Sequence, residues 1–319
     1  MKVALIGYGR WGKNLYRSIS KVEQVTEVYI VDPFLKDSNN DLKIINFDQV
    51  LSDKEIESVI VATPGKSHFE FTKNLILNNK NVFCEKPLCF SSAEVSEIRK
   101  LVEKQKKTVL TGHTFLFNDS INYVKNYIEE NNLSFKTISG KYCSFGTNVA
   151  DVNVLWDFGP HVISIMNYVL SSKASNIEII PYSYRSDGKL ESCILNLKYF
   201  DGLTNVIFEL SWLSIDKKRS IEFNNYETLI KWDDVNIERP IEIYEKQLDE
   251  NVNYSGIFEH FHTINNKITV PSLNPTEPLL NEMNYFVESV VSKESTNLIS
   301  GIEFTESVIE LLEEASSKI

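Results

Sequence analysis

Short apolar runs alternate with amphipathic stretches over the first 112 or so residues. VALI at 3–6, VYIV at 28–31, SVIVA at 58–62, NVF at 81–83 and TVL at 108–110 each read as a buried strand. Between them, apolar residues recur every three or four positions. Leu15, Ile19 and Val22 form one such set, and Val95, Ile98, Leu101 and Val102 another. That is the period of a helix with one buried face. Ser91, followed three positions later by Glu94, predicts a capping box at the start of the second helix. Continuous apolar strands separated by helices imply a parallel, doubly wound sheet covered on both faces.

After residue 112 the pattern changes. A helix is predicted over 119–130, with Ile121, Val124, Tyr127 and Ile128 on its buried side. A long strand follows near 134–145, then a polar loop, then a helix from about 160 to 170. From about 176 to 245 several strands are expected. Cys193, Leu195, Leu197 and Tyr199 alternate with polar neighbours, as do Val206, Phe208, Leu210 and Trp212. This period of two belongs to a sheet with one buried face. Two helices close the chain, near 278–292 and 301–317. The fold class expected is α/β: an N-terminal doubly wound parallel sheet over 1–118, then an α+β domain over 119–319 with a largely antiparallel open sheet. The last helices are expected to pack back on the first domain. No internal repeat is visible.

Composition narrows the function classes. At 319 residues the chain is too long for one small core, which favours two domains. Its 44 acidic residues against 33 basic leave a net charge of −11, which argues against nucleic acid as a partner. Lys104, Lys106 and Lys107 read as a solvated helix end rather than a phosphate-binding patch. The start, MKVALIGYGRWG, runs straight from a short apolar strand into glycines and does not resemble a secretory leader. No run approaches the roughly 20 apolar residues of a membrane span, so a cytoplasmic protein without a membrane partner is expected. The four cysteines, at 84, 89, 143 and 193, show no CxxC spacing and are expected to be reduced packing residues. His260 and His262 could share a strand face, but they lack an evident third ligand, so no metal site is expected.

The first chemistry-bearing segment is Gly7-Tyr8-Gly9-Arg10-Trp11-Gly12, a GxGxxG pattern between a strand and a helix. In a dinucleotide fold Gly7 permits the tight turn, Gly9 lets a pyrophosphate approach the backbone, and Gly12 lets the helix lie close to the strand. The helix amides then face the phosphate charge. Asp32, 20 positions after Gly12, ends the second strand. A carboxylate there accepts ribose hydroxyls and repels a 2′-phosphate, so NAD is expected over NADP.

Two further segments carry candidate chemistry. Cys84-Glu85-Lys86-Pro87 leaves the fifth strand, and ligands of open α/β sheets bind beyond such carboxyl ends. Lys86 there could stabilise developing alkoxide charge, although a Glu-Lys-Pro triplet can equally be a polar turn. In Trp156-Asp157-Phe158-Gly159-Pro160-His161, Pro160 suits the first turn of a helix, with Asp157 before that helix and His161 at its start. The carboxylate could then reach the imidazole, which with an ordinary pKa of about 6.5 can exchange a proton at neutral pH. The alternative is that Asp157 is a helix cap and His161 a core residue. Tyr142, Asp151 and Asn153 could reach a substrate from the preceding loop, or be surface residues.

GYGRWG, ATPGKSH at 62–68, EKP at 85–87 and WDFGPH at 156–161, in that order, resemble the glucose–fructose oxidoreductase / inositol dehydrogenase / MocA (Gfo/Idh/MocA) family. SWLSIDKKR at 211–219 and EPLLNEMNYFVESV at 277–290 extend the resemblance along the chain. It implies a Rossmann domain followed by a mixed domain whose open sheet supports homodimers or tetramers. It also implies that Lys86 is the catalytic lysine, that Asp157 and His161 are the acid and histidine of a D-x-x-x-H pattern, and that Thr63, Pro64 and His68 lie against the cofactor. Two departures bear on substrate. Val154-Leu155-Trp156 stands where polyol dehydrogenases of the family carry a glycine-rich run, and Val162 where an aspartate is frequent. They argue against free inositol or glucose as substrate, while GHTFLFN at 112–118, WDFGPH and SWLSIDKKR together resemble the branch associated with nucleotide sugars, which includes UDP-N-acetylglucosamine-type 3-dehydrogenases and 3-ketoreductases. The expected activity is NAD-dependent hydride transfer at a sugar carbinol carbon, C3 of a nucleotide-linked hexose. The alternatives are an NAD-dependent glycosidase or lyase with transient redox, and a non-catalytic NAD-sensing protein.

Overall fold

A computed structural model describes residues 1–35, 42–146, 152–248 and 263–319. The described elements are, in order, β1 (Lys2–Ile6), α1 (Arg10–Ile19), β2 (Glu27–Val31), β3 (Lys43–Ile44), α2 (Phe47–Ser52), β4 (Ile56–Val61), α3 (His68–Leu77), β5 (Asn81–Cys84), α4 (Ser92–Gln105) and β6 (Val109–Thr111). Then come α5 (Asp119–Glu130), β7 (Thr137–Phe145), α6 (Val154–Val169), β8 (Asn176–Tyr184), β9 (Leu190–Tyr199), β10 (Thr204–Ser211), β11 (Leu213–Asn224), β12 (Thr228–Asp233), β13 (Ile241–Leu248), β14 (Thr263–Thr269), α7 (Pro278–Val291) and α8 (Ile302–Ser316). They fall into two compact units. The first holds Met1–Asn118, Val149–Ile165 and Thr276–Lys318; the second holds Asp119–Asn148 and Met166–Pro275. Neither unit is one continuous stretch of chain.

The first unit is built on a six-stranded parallel sheet in the order β3-β2-β1-β4-β5-β6. This is the strand order of a dinucleotide-binding Rossmann sheet, whose order reverses between β1 and β4. The five strands expected from apolar runs all form. The added one is β3, whose two residues Lys43 and Ile44 are too short and too polar to leave an apolar run. One face of the sheet is covered by α1 and α7. Leu15 and Ile19 pack with Met283, Phe286 and Val287 over Val3, Leu5, Ile60 and Phe83, and the Phe83 and Phe286 ring centroids lie 5.8 Å apart. The last helix, α8, packs against α4. Ser91 caps α4 by accepting the Glu94 amide, and the Glu94 carboxylate reaches back to the Phe90 amide. The Lys104–Lys107 run ends α4, with Lys106 in the left-handed conformation, as a solvated helix end requires.

The second unit is an eight-stranded sheet ordered β14-β13-β12-β11-β7-β10-β9-β8. Only β7 and β10 pair in parallel; every other pairing is antiparallel. Val206, Phe208 and Leu210 of β10 are buried, together with Cys193, Leu195, Leu197 and Tyr199 of β9. Helix α5 lies against β12, where the Trp232 indole donates to Ser120 Oγ at 2.8 Å. The outer faces of β8, β10 and β11 carry exposed Ile180, Tyr182, Ile207 and Ile215.

One boundary differs from the sequence expectation. Helix α6 begins at Val154 rather than near 160, so Asp157 lies in its first turn and Pro160 inside it. Asn153 explains the early start, because its side chain accepts the Trp156 amide and its carbonyl the Asp157 amide. An interior proline removes one hydrogen bond but does not end a helix held by packing on both sides of it.

All four cysteines are buried and free of disulfides, and burial pushes each thiol up, away from reactivity. No helix among the described residues is long and apolar enough to cross a membrane. Among the same residues no metal-binding cluster of His, Cys, Asp or Glu occurs. His260, His262 and Asp151 lie outside the described residues.

Candidate active site

Strand β1 delivers the chain into the glycine turn, and each glycine has a distinct packing reason. Gly7 adopts a φ of +94°, and a Cβ there would lie 2.6 Å from the Ala62 carbonyl oxygen on the neighbouring strand end. Gly12 sits so close to the turn that a Cβ would lie 2.2 Å from the Gly7 carbonyl oxygen. Gly9 differs: nothing lies within 4 Å of its missing side chain. The turn is thus closed at Gly7 and Gly12 and open at Gly9, where a phosphate needs to approach. Helix α1 begins there with no side-chain cap and no acidic residue in its first turn, which leaves its amides free for an anion. Trp11 is partly exposed and Arg10 opens the helix. These features fit a dinucleotide.

Asp32 follows β2. One carboxylate oxygen accepts the Tyr8 amide at 2.7 Å and the other the Phe34 amide at 2.9 Å. Each oxygen keeps a further lone pair for a ribose hydroxyl. Beyond β4, Thr63 and Pro64 lead into a short helical turn that ends at His68. Buried His68 places Nε2 at 2.7 Å from the Thr63 carbonyl oxygen and Nδ1 at 2.8 Å from that of Pro87. It therefore ties the turn after β4 to the turn after β5.

Glu85, Lys86 and Pro87 leave the end of β5, and the Lys86–Pro87 peptide is cis. Lys86 Nζ donates to the Asp157 carbonyl oxygen at 2.7 Å and to Asp157 Oδ1 at 3.0 Å. Both side chains of this ion pair are largely shielded from water. Two segments 71 residues apart thus meet within one unit. His161 lies four residues after Asp157 on α6, and helical geometry puts positions i and i+4 on one face. The Phe115 ring meets the His161 ring edge-on, with centroids 5.4 Å apart. Asp157 Oδ1 accepts from Lys86 Nζ within this arrangement.

Behind Lys86 lie three groups that the sequence reading did not single out. Glu85, which it did, is buried and accepts the Trp11 indole N–H. Burial pushes its carboxyl up, while the Trp11 hydrogen bond and the Lys86 and His68 charges pull it down. Gly112 makes the room: a Cβ there would lie 3.0–3.1 Å from all three carboxyl-group atoms of Glu85. Glu282, on the buried face of α7, has no exposed surface and accepts Thr114 Oγ1 at 2.7 Å. Burial, followed by the Glu85 charge, holds its carboxyl well above the ordinary 4.5. Burial also lowers the His113 ring to about 3, with the Lys86 charge acting in the same sense.

A carboxyl raised in this way stabilises the fold fully below its unfolded pKa, and that contribution is lost as pH rises through the folded pKa. Glu282→Gln, which carries no titrating proton, is expected to match the parent protein near pH 4. It should become the more stable of the two as the pH rises into the alkaline range, read as a Tm difference that grows with pH. A variant less stable than the parent at both ends of that range contradicts the neutral-acid assignment.

Residues 1–113 match the family model described as an oxidoreductase family with an NAD-binding Rossmann fold. The 2,7-anhydro-N-acetylneuraminate hydratase of Escherichia coli K12 is 30% identical over 132 residues, or 40% of this chain and 35% of that one. The chain aligns with about a third of the length of the first curated relatives it matches. Solved structures match throughout. UDP-N-acetylglucosamine 3-dehydrogenase from Acidithiobacillus ferrooxidans superposes with a TM-score of 0.80 at 13% identity, covering 100% of this chain and 97% of that one. GenD2 from gentamicin A biosynthesis, solved with NAD, gives 0.77 at 17% identity over 99% and 93%. At such identities these likenesses establish the fold of both units. The glycine turn, the Asp32 carboxylate, the strand order and the match over residues 1–113 together show an NAD-binding Rossmann domain similar to that of the Gfo/Idh/MocA oxidoreductases.

Proposed function

We propose that this protein transfers a hydride reversibly between NAD and a carbinol carbon of a sugar, C3 of a nucleotide-linked hexose. The observation that carries the reading is the ion pair between Lys86 and Asp157, made at the carboxyl end of β5 on the same α6 face as His161. NAD, when bound, supplies the hydride acceptor. Lys86 holds the reacting oxygen and stabilises the charge that develops on it. His161 takes the hydroxyl proton during oxidation and returns it during reduction. Asp157 fixes the Lys86 ammonium. Gly7, Tyr8, Gly9, Arg10, Trp11 and Gly12 seat the pyrophosphate, Asp32 the adenosine ribose, and Thr63, Pro64, His68 and Glu85 line the crevice.

The nucleotide-sugar substrate class rests on GHTFLFN, WDFGPH and SWLSIDKKR and on the likeness in fold to a UDP-N-acetylglucosamine 3-dehydrogenase. A panel of UDP- and dTDP-hexoses with NAD, read by the absorbance of reduced nicotinamide, tests it. Turnover of a free polyol with none of the nucleotide sugars overturns the substrate class. A second reading has support in a relative named as a hydratase: transient oxidation and re-reduction that ends in addition or loss of a group without net redox change. Product formation without accumulated reduced cofactor is its signature.

Asp32 supports NAD over NADP. NAD is expected to bind at least about tenfold more tightly, a difference of about 1.4 kcal/mol. Asp32→Ala should narrow that gap by weakening NAD. Equal dissociation constants for the two cofactors in the parent protein contradict the assignment. The exposed Ile180, Tyr182, Ile207 and Ile215 support a homodimer or tetramer through the open face of the second sheet. Light scattering that gives a monomer mass at micromolar concentration would rule this out.

A further inference from the structure

We propose that Glu85 and Glu282 form a buried pair that shares one proton, gives that proton up when oxidised cofactor binds, and keeps it when reduced cofactor binds. The inference rests on the reading of the crevice at the strand ends as the NAD site.

Both carboxyls are buried, and they contact residues two apart in one short segment. Gly112 packs under the Glu85 carboxyl, and Thr114 donates to Glu282 Oε2. Each acid raises the cost of ionising the other when both are removed from water. The surroundings divide the roles. Glu85 is next to the groups that favour a carboxylate: the Trp11 indole N–H, the Lys86 amide and the Lys86 and His68 charges. Glu282 receives the Thr114 hydroxyl, and its Oε1 has no partner among the described residues. It is the member that retains the proton.

Among the described residues, the cations beside Glu85 are already engaged. Lys86 is already paired with Asp157. His68 holds two carbonyl oxygens. The His113 ring is buried, packs edge-on against Phe304 with centroids 5.7 Å apart, and stays neutral because burial lowers it to about 3. Burial without a spare counter-charge thus disfavours a second carboxylate in the pair.

A cofactor in that crevice changes this balance only through its charge. The oxidised nicotinamide ring is a cation, the reduced ring is neutral, and the rest of the molecule is the same. A cation near the ends of β1, β4 and β5 lowers the cost of the second carboxylate. The proton count then balances across the proposed reaction. The alcohol loses a hydride from carbon and a proton from oxygen, the cofactor becomes neutral, and the pair becomes able to hold a proton again. Oxidation inside the closed complex then needs no net proton release to solvent.

The test is titration calorimetry of the full chain with NAD and with NADH at pH 7, each in two buffers of different ionisation enthalpy, which counts protons released per cofactor bound. NAD is expected to release more than NADH, by up to about one proton per site. The ratio of the NADH to the NAD dissociation constant should rise with pH, by at most about tenfold per unit. Glu282→Gln and Glu85→Gln should each abolish the difference. Equal proton counts for the two cofactors overturn the proposal while leaving the NAD site intact. So does a difference that survives unchanged in both variants, since it then arises outside the pair. Absence of binding heat with either cofactor sinks the NAD reading itself, and this inference with it.

Discussion

Lys86→Ala is expected to lower kcat on the nucleotide sugar by on the order of a thousandfold while leaving NAD affinity within about threefold. The ammonium is held at the end of β5 by the Asp157 carbonyl and carboxylate together. Removing it deletes the group proposed to face the developing alkoxide but leaves the glycine turn and Asp32 untouched. His161→Ala should cost on the order of a hundredfold or more, with a kcat–pH profile that loses its limb near neutrality. The two losses should fall well short of multiplying in the double variant, because groups that act on one oxygen are not independent. The Lys86 change also leaves Asp157 largely buried without its cation. A stability loss of about 1–3 kcal/mol is expected, discounted for the exposure each side chain keeps. Assays belong well below the variant's Tm. Unchanged turnover in both single variants removes the assigned roles.

The second large effect concerns the glycine turn. Gly12→Ala should cost about 2–3 kcal/mol and with it about 4–10 °C in Tm, because the added carbon meets the Gly7 carbonyl oxygen at 2.2 Å and backbone must move. Cofactor affinity should fall by on the order of a hundredfold as the start of α1 shifts. Gly9→Ala is the control. Its φ of −68° is open to any residue, and nothing lies within 4 Å of the new carbon. The fold should keep its Tm to within about 2 °C, while NAD affinity drops because the methyl occupies the approach of the pyrophosphate. Thermal scans and cofactor titration of the two variants separate packing from binding. If Gly9→Ala binds NAD as the parent does, the phosphate lies elsewhere.

Much of the first unit was legible in the chain because its information is local. An apolar run bounded by a helical period can only be a covered strand, and the glycines announce a turn by what they lack. Strand order follows from short right-handed crossovers. Two segments were less transparent. The start of α6 depended on Asn153, a single side chain whose hydrogen bonds outweighed the breaker at Pro160. The strand β3 is held by register with β2 rather than by its own composition.

Glu282 shows what could have been read and was not. In PLLNEMNYFVESVV it falls on the stripe of Leu279, Met283, Phe286 and Val290, so an acid stood where the period called for an apolar residue. A charge in phase with a buried face is a detectable anomaly. His113 gave no such signal: it follows a strand end, and only the fold buries it.

The sequence by itself determined the parallel sheet, the glycine turn and the carboxylate at the end of β2, since each is encoded within about 30 consecutive residues. Tertiary structure alone decided that the start of α6 joins the first unit, that Asp157 meets Lys86, and that Glu85 packs on Gly112 while Glu282 accepts Thr114. The reason is range. Local propensity and period act over a few turns of chain, whereas these contacts join positions as far as 71 and 168 residues apart, where only packing chooses the partner.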